Sequence, residues 1–209
     1  MTDSSFPAAL DGDWHDISDE TARLLTERIY DFGVLSRKRR VRRMRAMALP
    51  FFAEHILCDM ETTQMGQATE WVSCLYGSDG ARALTGDSAV IHGINGREDP
   101  NLADPALEMA YLQFFCRFVH GDEGPFEIVT GPEQVAGNVA AKIAPPRKDA
   151  ETGLWSASVL YGGTLFEAAF KIETNGQVNM ESDTPVAEDV GRVPDVIFDK
   201  AARRLRREA

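Results

Sequence analysis

Apolar positions in the first third of the chain recur at helical spacing. Leu24, Leu25, Ile29 and Phe32 follow Ser18 and Asp19, either of which can cap a helix, and Gly33 is a stop. A second helix is expected from Ser36, with Val41, Met44 and Ala48 on one narrow stripe and Pro50 as its end. Met65, Ala68, Trp71, Val72 and Leu75 predict a third, stopped by Gly77. Between these two, residues 51–60 are rich in apolar side chains without a clear period.

Residues 77–104 are crowded with Gly, Asp and Asn, which predicts a long loop with one short strand at Ala89, Val90 and Ile91. A firm helix start follows, with Asp104 as N-cap, Pro105 at the first helical position and Glu108 in the first turn. Leu107, Tyr111, Phe114 and Phe118 share one face of this helix. Leu112, Phe115, Cys116 and Val119 cover most of the rest, which implies burial on several sides. Gly121 ends it. A strand is expected at 125–129, a short helix at 132–135 from the Thr130 and Glu133 spacing, and another strand at 139–144.

Period-two alternation is clearest from 154 to 182. Trp155, Ala157, Val159 and Tyr161 alternate with more polar neighbours, as do Phe166, Ala168, Phe170 and Ile172. Gly162-Gly163 between them is a two-residue hairpin turn, which sets Val159 opposite Phe166 and Trp155 opposite Phe170. For the next turn, a three-residue loop of Thr174, Asn175 and Gly176 keeps Ile172 opposite Val178 and supplies glycine at the left-handed position. The chain is expected to close on a helix from about Asp195, with Ile197, Ala201 and Leu205 as its packing stripe.

These elements predict an α+β protein: a helical N-terminal half, then a long buried helix packed on a C-terminal antiparallel β-meander. In architecture alone the arrangement resembles a cystatin-like or NTF2-like roll, and such rolls host both enzymes and binding modules. Residues 1–16 read as a loosely held N-terminal tail, and 17–209 as a single globular domain.

Charge changes this picture more than composition does. The chain of 209 residues carries a net −11, yet seven of the nine residues at 37–45 are basic, as are five of the eight at 200–207. Setting those 12 cations aside leaves 10 Lys and Arg against 33 Asp and Glu, so the remainder carries −23. Cations segregated in this way point to an anionic surface opposite them. Arg37, Lys38, Arg39, Arg40, Arg42, Arg43 and Arg45, placed on a helix, are the candidate partner-binding residues. The partner is expected to be an acidic protein surface or a second copy of the chain, with nucleic acid as a further option that no interleaved aromatic residue supports.

A competing reading takes the roll as a small-molecule-binding or enzymatic fold. Its pocket would lie between the long helix and the sheet, with polar groups from His120, Asp122 and Glu123. No phosphate-loop, dinucleotide, zinc-protease or serine-hydrolase motif occurs, and no catalytic residue, cofactor or metal is assigned. His55 and Cys58, the one pair at short spacing, lack the second pair a zinc site needs. Three widely spaced cysteines and the absence of a leader or a membrane-length apolar run predict a reduced cytoplasmic setting. The leading expectation is a non-enzymatic binding or regulatory protein that engages an anionic partner through an arginine-rich helix.

Overall fold

The computed structural model describes residues 8–205. In chain order the elements are β1 (His15–Asp16), α1 (Asp19–Asp31), β2 (Arg40–Ala48), β3 (His55–Thr63), β4 (Glu70–Gly77), β5 (Gly80–Ala83) and α2 (Ser88–Asn95). Then come α3 (Pro105–Phe118), β6 (Glu127–Val129), β7 (Arg147–Lys148), β8 (Trp155–Tyr161), β9 (Thr164–Ile172), β10 (Val178–Ala187), β11 (Val196–Asp199) and β12 (Ala202–Leu205). Two-residue ladders join His120–Gly121 to Gly124–Pro125 and Val135–Ala136 to Gly191–Arg192. The chain forms two compact units, one built from residues up to Thr85 and again from Ile197, the other from Gly86–Val196.

The first unit holds a sheet of seven strands in the order β1-β2-β3-β4-β12-β11, with β5 also paired to β4. Antiparallel register sets Met44 against Met60, Ala46 against Cys58, Met60 against Val72 and Cys58 against Cys74. Those side chains share one face, and Ile29, Ala22 and Leu25 of α1 pack on it. Ser18 caps α1, its Oγ accepting from the Thr21 amide at 3.4 Å, and Asp19 and Glu20 suit the positive end of the helix dipole. Each fully buried aliphatic side chain in this core contributes roughly 1.5–3 kcal/mol.

The second unit holds a five-stranded sheet, β7-β8-β9-β10 with β6 also paired to β8. Val159 faces Phe166, Ala157 faces Ala168 and Trp155 faces Phe170, the register expected from alternation. Ile172 faces Val178 and Phe170 faces Met180, so the next turn is the expected three-residue loop, with Gly176 at φ 77°. Leu112 and Cys116 of α3 pack on Trp155, Ala157, Val159, Ala168 and Phe170. The tip of the β9–β10 hairpin is fastened to the helices. Tyr111 Oη donates to the Gly176 carbonyl at 2.6 Å and accepts from Asn95 Nδ2 at 2.7 Å, and burial pushes the tyrosine pKa up to about 12.

The expected α+β fold with a helical N-terminal half is overturned, because the structure is 41% strand and 21% helical. Among the described residues three short helices accompany several antiparallel sheets, and this mostly-β arrangement replaces the expected cystatin-like or NTF2-like roll. The expected helix bearing the arginines is β2. Met44, Ala46 and Ala48 also alternate at period two, and the register shift between Val41 and Arg43 brought Val41 into apparent helical spacing. The expected helix at 65–75 is β4, a central strand buried on both faces, whose near-continuous apolar run carries no strand period.

The expected strand at Ala89-Val90-Ile91 lies in α2, capped by the Asp87 carboxylate on the Ala89 amide at 2.8 Å. At 139–144 there is a 3-10 turn, Ala140–Lys142. The C-terminal helix is the hairpin β11–β12, where the Val-Ile-Phe strand preference wins and Lys200 takes the left-handed turn at φ 53°. Of the expected N-terminal tail, residues 1–7 lie outside the described residues; Ala9 is buried, and His15 and Asp16 pair with β2. Arg206 and Arg207 also lie outside them. No helix among the described residues is long and apolar enough to cross a membrane.

Candidate functional site

Placing the arginine run on a strand sorts its cations by direction, because neighbouring side chains leave opposite faces of a sheet. Arg45 points away from the apolar core, opposite Asp59 in register. Its Nε and Nη2 reach Asp59 Oδ2 at 3.1 and 2.7 Å, and the guanidinium lies over the rings of Trp14 (5.0 Å) and Trp71 (4.4 Å). Asp59 is fully buried. Its other oxygen accepts from Ser73 Oγ at 3.0 Å and from Arg203 Nη2 of β12 at 2.5 Å. Arg39 pairs with Glu70 and bonds Thr62 Oγ1 at 3.4 Å, and Arg204 stands 3.9 Å from the same Glu70. Arg37 bridges Glu27 and Asp31 of α1 at 2.8 and 2.7 Å, which raises its pKa further. Arg43 meets Asp16 at 3.6 Å.

Four of the seven candidate residues are therefore engaged within the first unit. Lys38, Arg40 and Arg42 are exposed, and among the described residues they make no ion pair. Arg40 and Arg42 line a groove of about 620 Å³ between α1 and the outer edge of β2. Arg23, Arg43, Asp16, Asp19, Glu27, Tyr30, Ile17, Ala22 and Val41 also line it. Four arginines line the groove (Arg23, Arg40, Arg42 and Arg43) against three carboxylates (Asp16, Asp19 and Glu27), and Asp16 pairs with Arg43 while Glu27 pairs with Arg37 from outside the lining. The groove is thus cationic within a chain that is anionic as a whole.

The second group of candidates lies in the other unit. His120 is half-buried, with its amide donating to the Gly86 carbonyl at 2.9 Å and its ring so close to Gly86 that a Cβ there would stand 2.8 Å from Nδ1. Burial, followed by the nearby charges of Arg117 and Arg192, holds its pKa below the usual histidine value. Asp122 and Glu123 are exposed in the turn of the short hairpin, and the Glu123 amide donates to Tyr161 Oη at 3.2 Å. Tyr161 stacks on Phe126, with ring centroids 4.4 Å apart. Arg117 and Arg192 both pair with Glu127.

Cys58 and Cys74 lie opposite each other in the first core, and the neighbouring Cys58 thiol, with burial, pushes Cys74 well up. Burial alone takes Cys116 to about 12. Among the described residues no group of three or more His, Cys, Asp and Glu side chains is arranged to hold a metal ion.

The arginines stand out in the sequence, but their partners do not. Asp59, Glu70 and Ser73 do not stand out, nor do the pairing of Arg203 with Asp59 and the place of Arg23 in the groove. One signal was present: Asp59 is a lone acid inside the apolar stretch His-Ile-Leu-Cys-Asp-Met, and an acid so placed needs a cation. No protein-family model matches this chain, and neither a curated protein nor a solved structure matches it.

Proposed function

We propose that this chain is a non-enzymatic binding protein that engages an acidic protein partner through the exposed cations of the α1–β2 groove. One observation carries the reading: Arg23, Arg40 and Arg42 line a groove and make no ion pair among the described residues, whereas their neighbours Arg37, Arg39, Arg43 and Arg45 do. Crowded guanidiniums repel one another, so leaving three unneutralised beside a groove favours an incoming anion. Nucleic acid is the less favoured anion, because no aromatic residue interleaves the arginines at 37–45 to stack on its bases. The competing pocket between α3 and the second sheet gains no support, since Leu112 and Cys116 fill that contact. Three free, buried cysteines suit a reducing compartment such as the cytoplasm.

The test is fluorescence anisotropy of labelled polyglutamate and of a single-stranded oligonucleotide, each titrated with the protein at low and high salt. Polyglutamate is expected to bind, to weaken with salt, and to lose at least about tenfold in affinity (~1.4 kcal/mol) when Arg40→Glu and Arg42→Glu are combined. Arg147→Glu, the same change of charge at an exposed position outside the groove lining, is expected to change binding less. Binding that ignores the double reversal, or an oligonucleotide that binds more tightly than polyglutamate, would overturn the reading.

A further inference from the structure

The groove has a backbone wall as well as charges. β1 pairs with β2 only at Arg45 and Ala46, and the Ile17 amide adds a last bond to the Met44 carbonyl at 2.9 Å. At Ser18 the chain turns away to cap α1. No strand among the described residues continues that ladder beside Arg40–Arg43, so β2 is a sheet edge there. At the far end Tyr30 of α1 donates its hydroxyl to the Arg39 carbonyl at 2.5 Å and accepts from the Val41 amide, which closes the edge at that point. The open stretch is thus bounded by Ile17 at one end and Tyr30 at the other, and it is lined by Val41 and Ala22 as well as by the arginines.

Resting on the reading of the groove given above, we infer that the partner's acidic segment binds as an added β-strand, in line with β1 and antiparallel to Arg40–Arg43 of β2. Several features of this edge specify that occupant. A sheet edge offers alternate backbone N–H and C=O groups, which an extended peptide matches and a phosphate chain does not. The groove's volume lies within the ~300–1,000 Å³ typical of binding clefts, and four residues of strand span ~13 Å. Its rim selects the sign of charge. Two β2 edges brought together would set Arg40, Arg42 and Arg43 of one copy against the same residues of another, which like-charge repulsion disfavours. An acidic strand instead places carboxylates beside Arg40 and Arg42 and, across the groove, Arg23. Its less polar side chains, on the alternate positions, meet Val41, Ile17 and Ala22.

Strand addition differs from charge attraction in using the peptide's own amides, and only every second one. A labelled peptide in which Glu alternates with Thr is the probe, with two isomers of identical charge N-methylated on the Glu or on the Thr residues. One isomer is expected to lose at least about tenfold in affinity while the other binds as the parent does, because alternate amides face the edge. Hydrogen exchange at residues 40–44 is expected to slow when the parent peptide is bound. Arg40→Glu with Arg42→Glu should abolish binding of the parent and leave the thermal unfolding midpoint in place.

If both isomers bind like the parent and exchange at 40–44 is unchanged, strand addition is overturned, while the cationic groove stands on the polyglutamate result. Failure of the parent peptide to bind also overturns strand addition. If the parent binds equally to wild type and to the double reversal, both the added strand and the cationic groove are overturned.

Discussion

The two sheets hold their strands in register by different physical means. In β8 and β9 the apolar residues Trp155, Ala157 and Val159 face Phe170, Ala168 and Phe166. A slip by one residue would turn that set toward the opposite face, so hydrophobic burial decides which side is inward. Burial discriminates less between slips of two residues, which restore the face, and there the tight Gly162-Gly163 turn fixes the pairing. In β2, β3 and β4 one face is apolar, but the other carries Arg45 on Asp59 and Ser73 on Asp59, with Arg43 opposite Glu61. A slip of two residues would keep the faces and still separate Arg45 from its buried carboxylate. An apolar face thus selects the side, and a directional ion pair selects the residue.

The largest expected effects break each device in turn. Asp59→Asn leaves Arg45 and Arg203 without their shared anion and is expected to cost about 3–5 kcal/mol in urea unfolding. Adding Arg45→Met and Arg203→Met should recover most of that loss, since the uncompensated cations are then gone. Phe170→Ala, which removes the apolar counterpart in β9, is expected to cost a similar amount, about 3–5 kcal/mol, with no such recovery. A loss below about 1 kcal/mol in Asp59→Asn would show that the first sheet does not depend on its ion pairs.

A smaller effect is expected at the hairpin tip. Gly176→Ala forces a Cβ at φ 77° against Asn95 Nδ2 and to within 2.8 Å of Tyr111 Oη, and it should cost about 1–3 kcal/mol in the same assay. Smaller still is the pH dependence of the second unit. The folded-state pKa of His120 lies below its unfolded value of 6.5, so between the two the unfolded chain binds more protons. Relative to His120→Gln, wild-type stability is therefore expected to hold above pH 6.5 and to decline as the pH falls through the folded-state value. A difference that is flat across this window would show that the ring is solvated. The least change is expected from combined Arg40→Glu and Arg42→Glu, within about 0.5 kcal/mol in thermal unfolding, because neither residue belongs to the register-setting pairs.

Legibility followed the range of the determining interactions. The β8–β9–β10 turns were readable because the residues that decide them, Gly162, Gly163 and Gly176, lie within a few positions of the strands they join. The start of α3 was readable for the same reason, since Asp104 bonds the amides of Ala106 and Leu107 at 2.9 and 3.0 Å. The arginine run was not. Val41, Met44 and Ala48 fit a helix as well as a bulged strand, and what settles the matter is a set of acids further along the chain, Asp59, Glu61 and Glu70. Charge density therefore drew attention to the segment without showing which cations were neutralised. The groove was invisible for a related reason: it exists only where β1 stops short of Arg43.

The Asp59 cluster also bears on the order in which the chain acquires structure. Its members are separated by 14 residues from Asp59 to Ser73 and by 144 from Asp59 to Arg203. The second unit, Gly86–Val196, occupies the interval and contains no residue of the cluster. On a ribosome every residue of that unit has been synthesised before Arg203 is joined, so the later part of the sequence has the chance to mature first. Long closures of this kind slow folding. Refolding followed by the separate emission of Trp155 and Trp71 is expected to give a faster phase for Trp155, leaving the earliest-made strands among the last to settle.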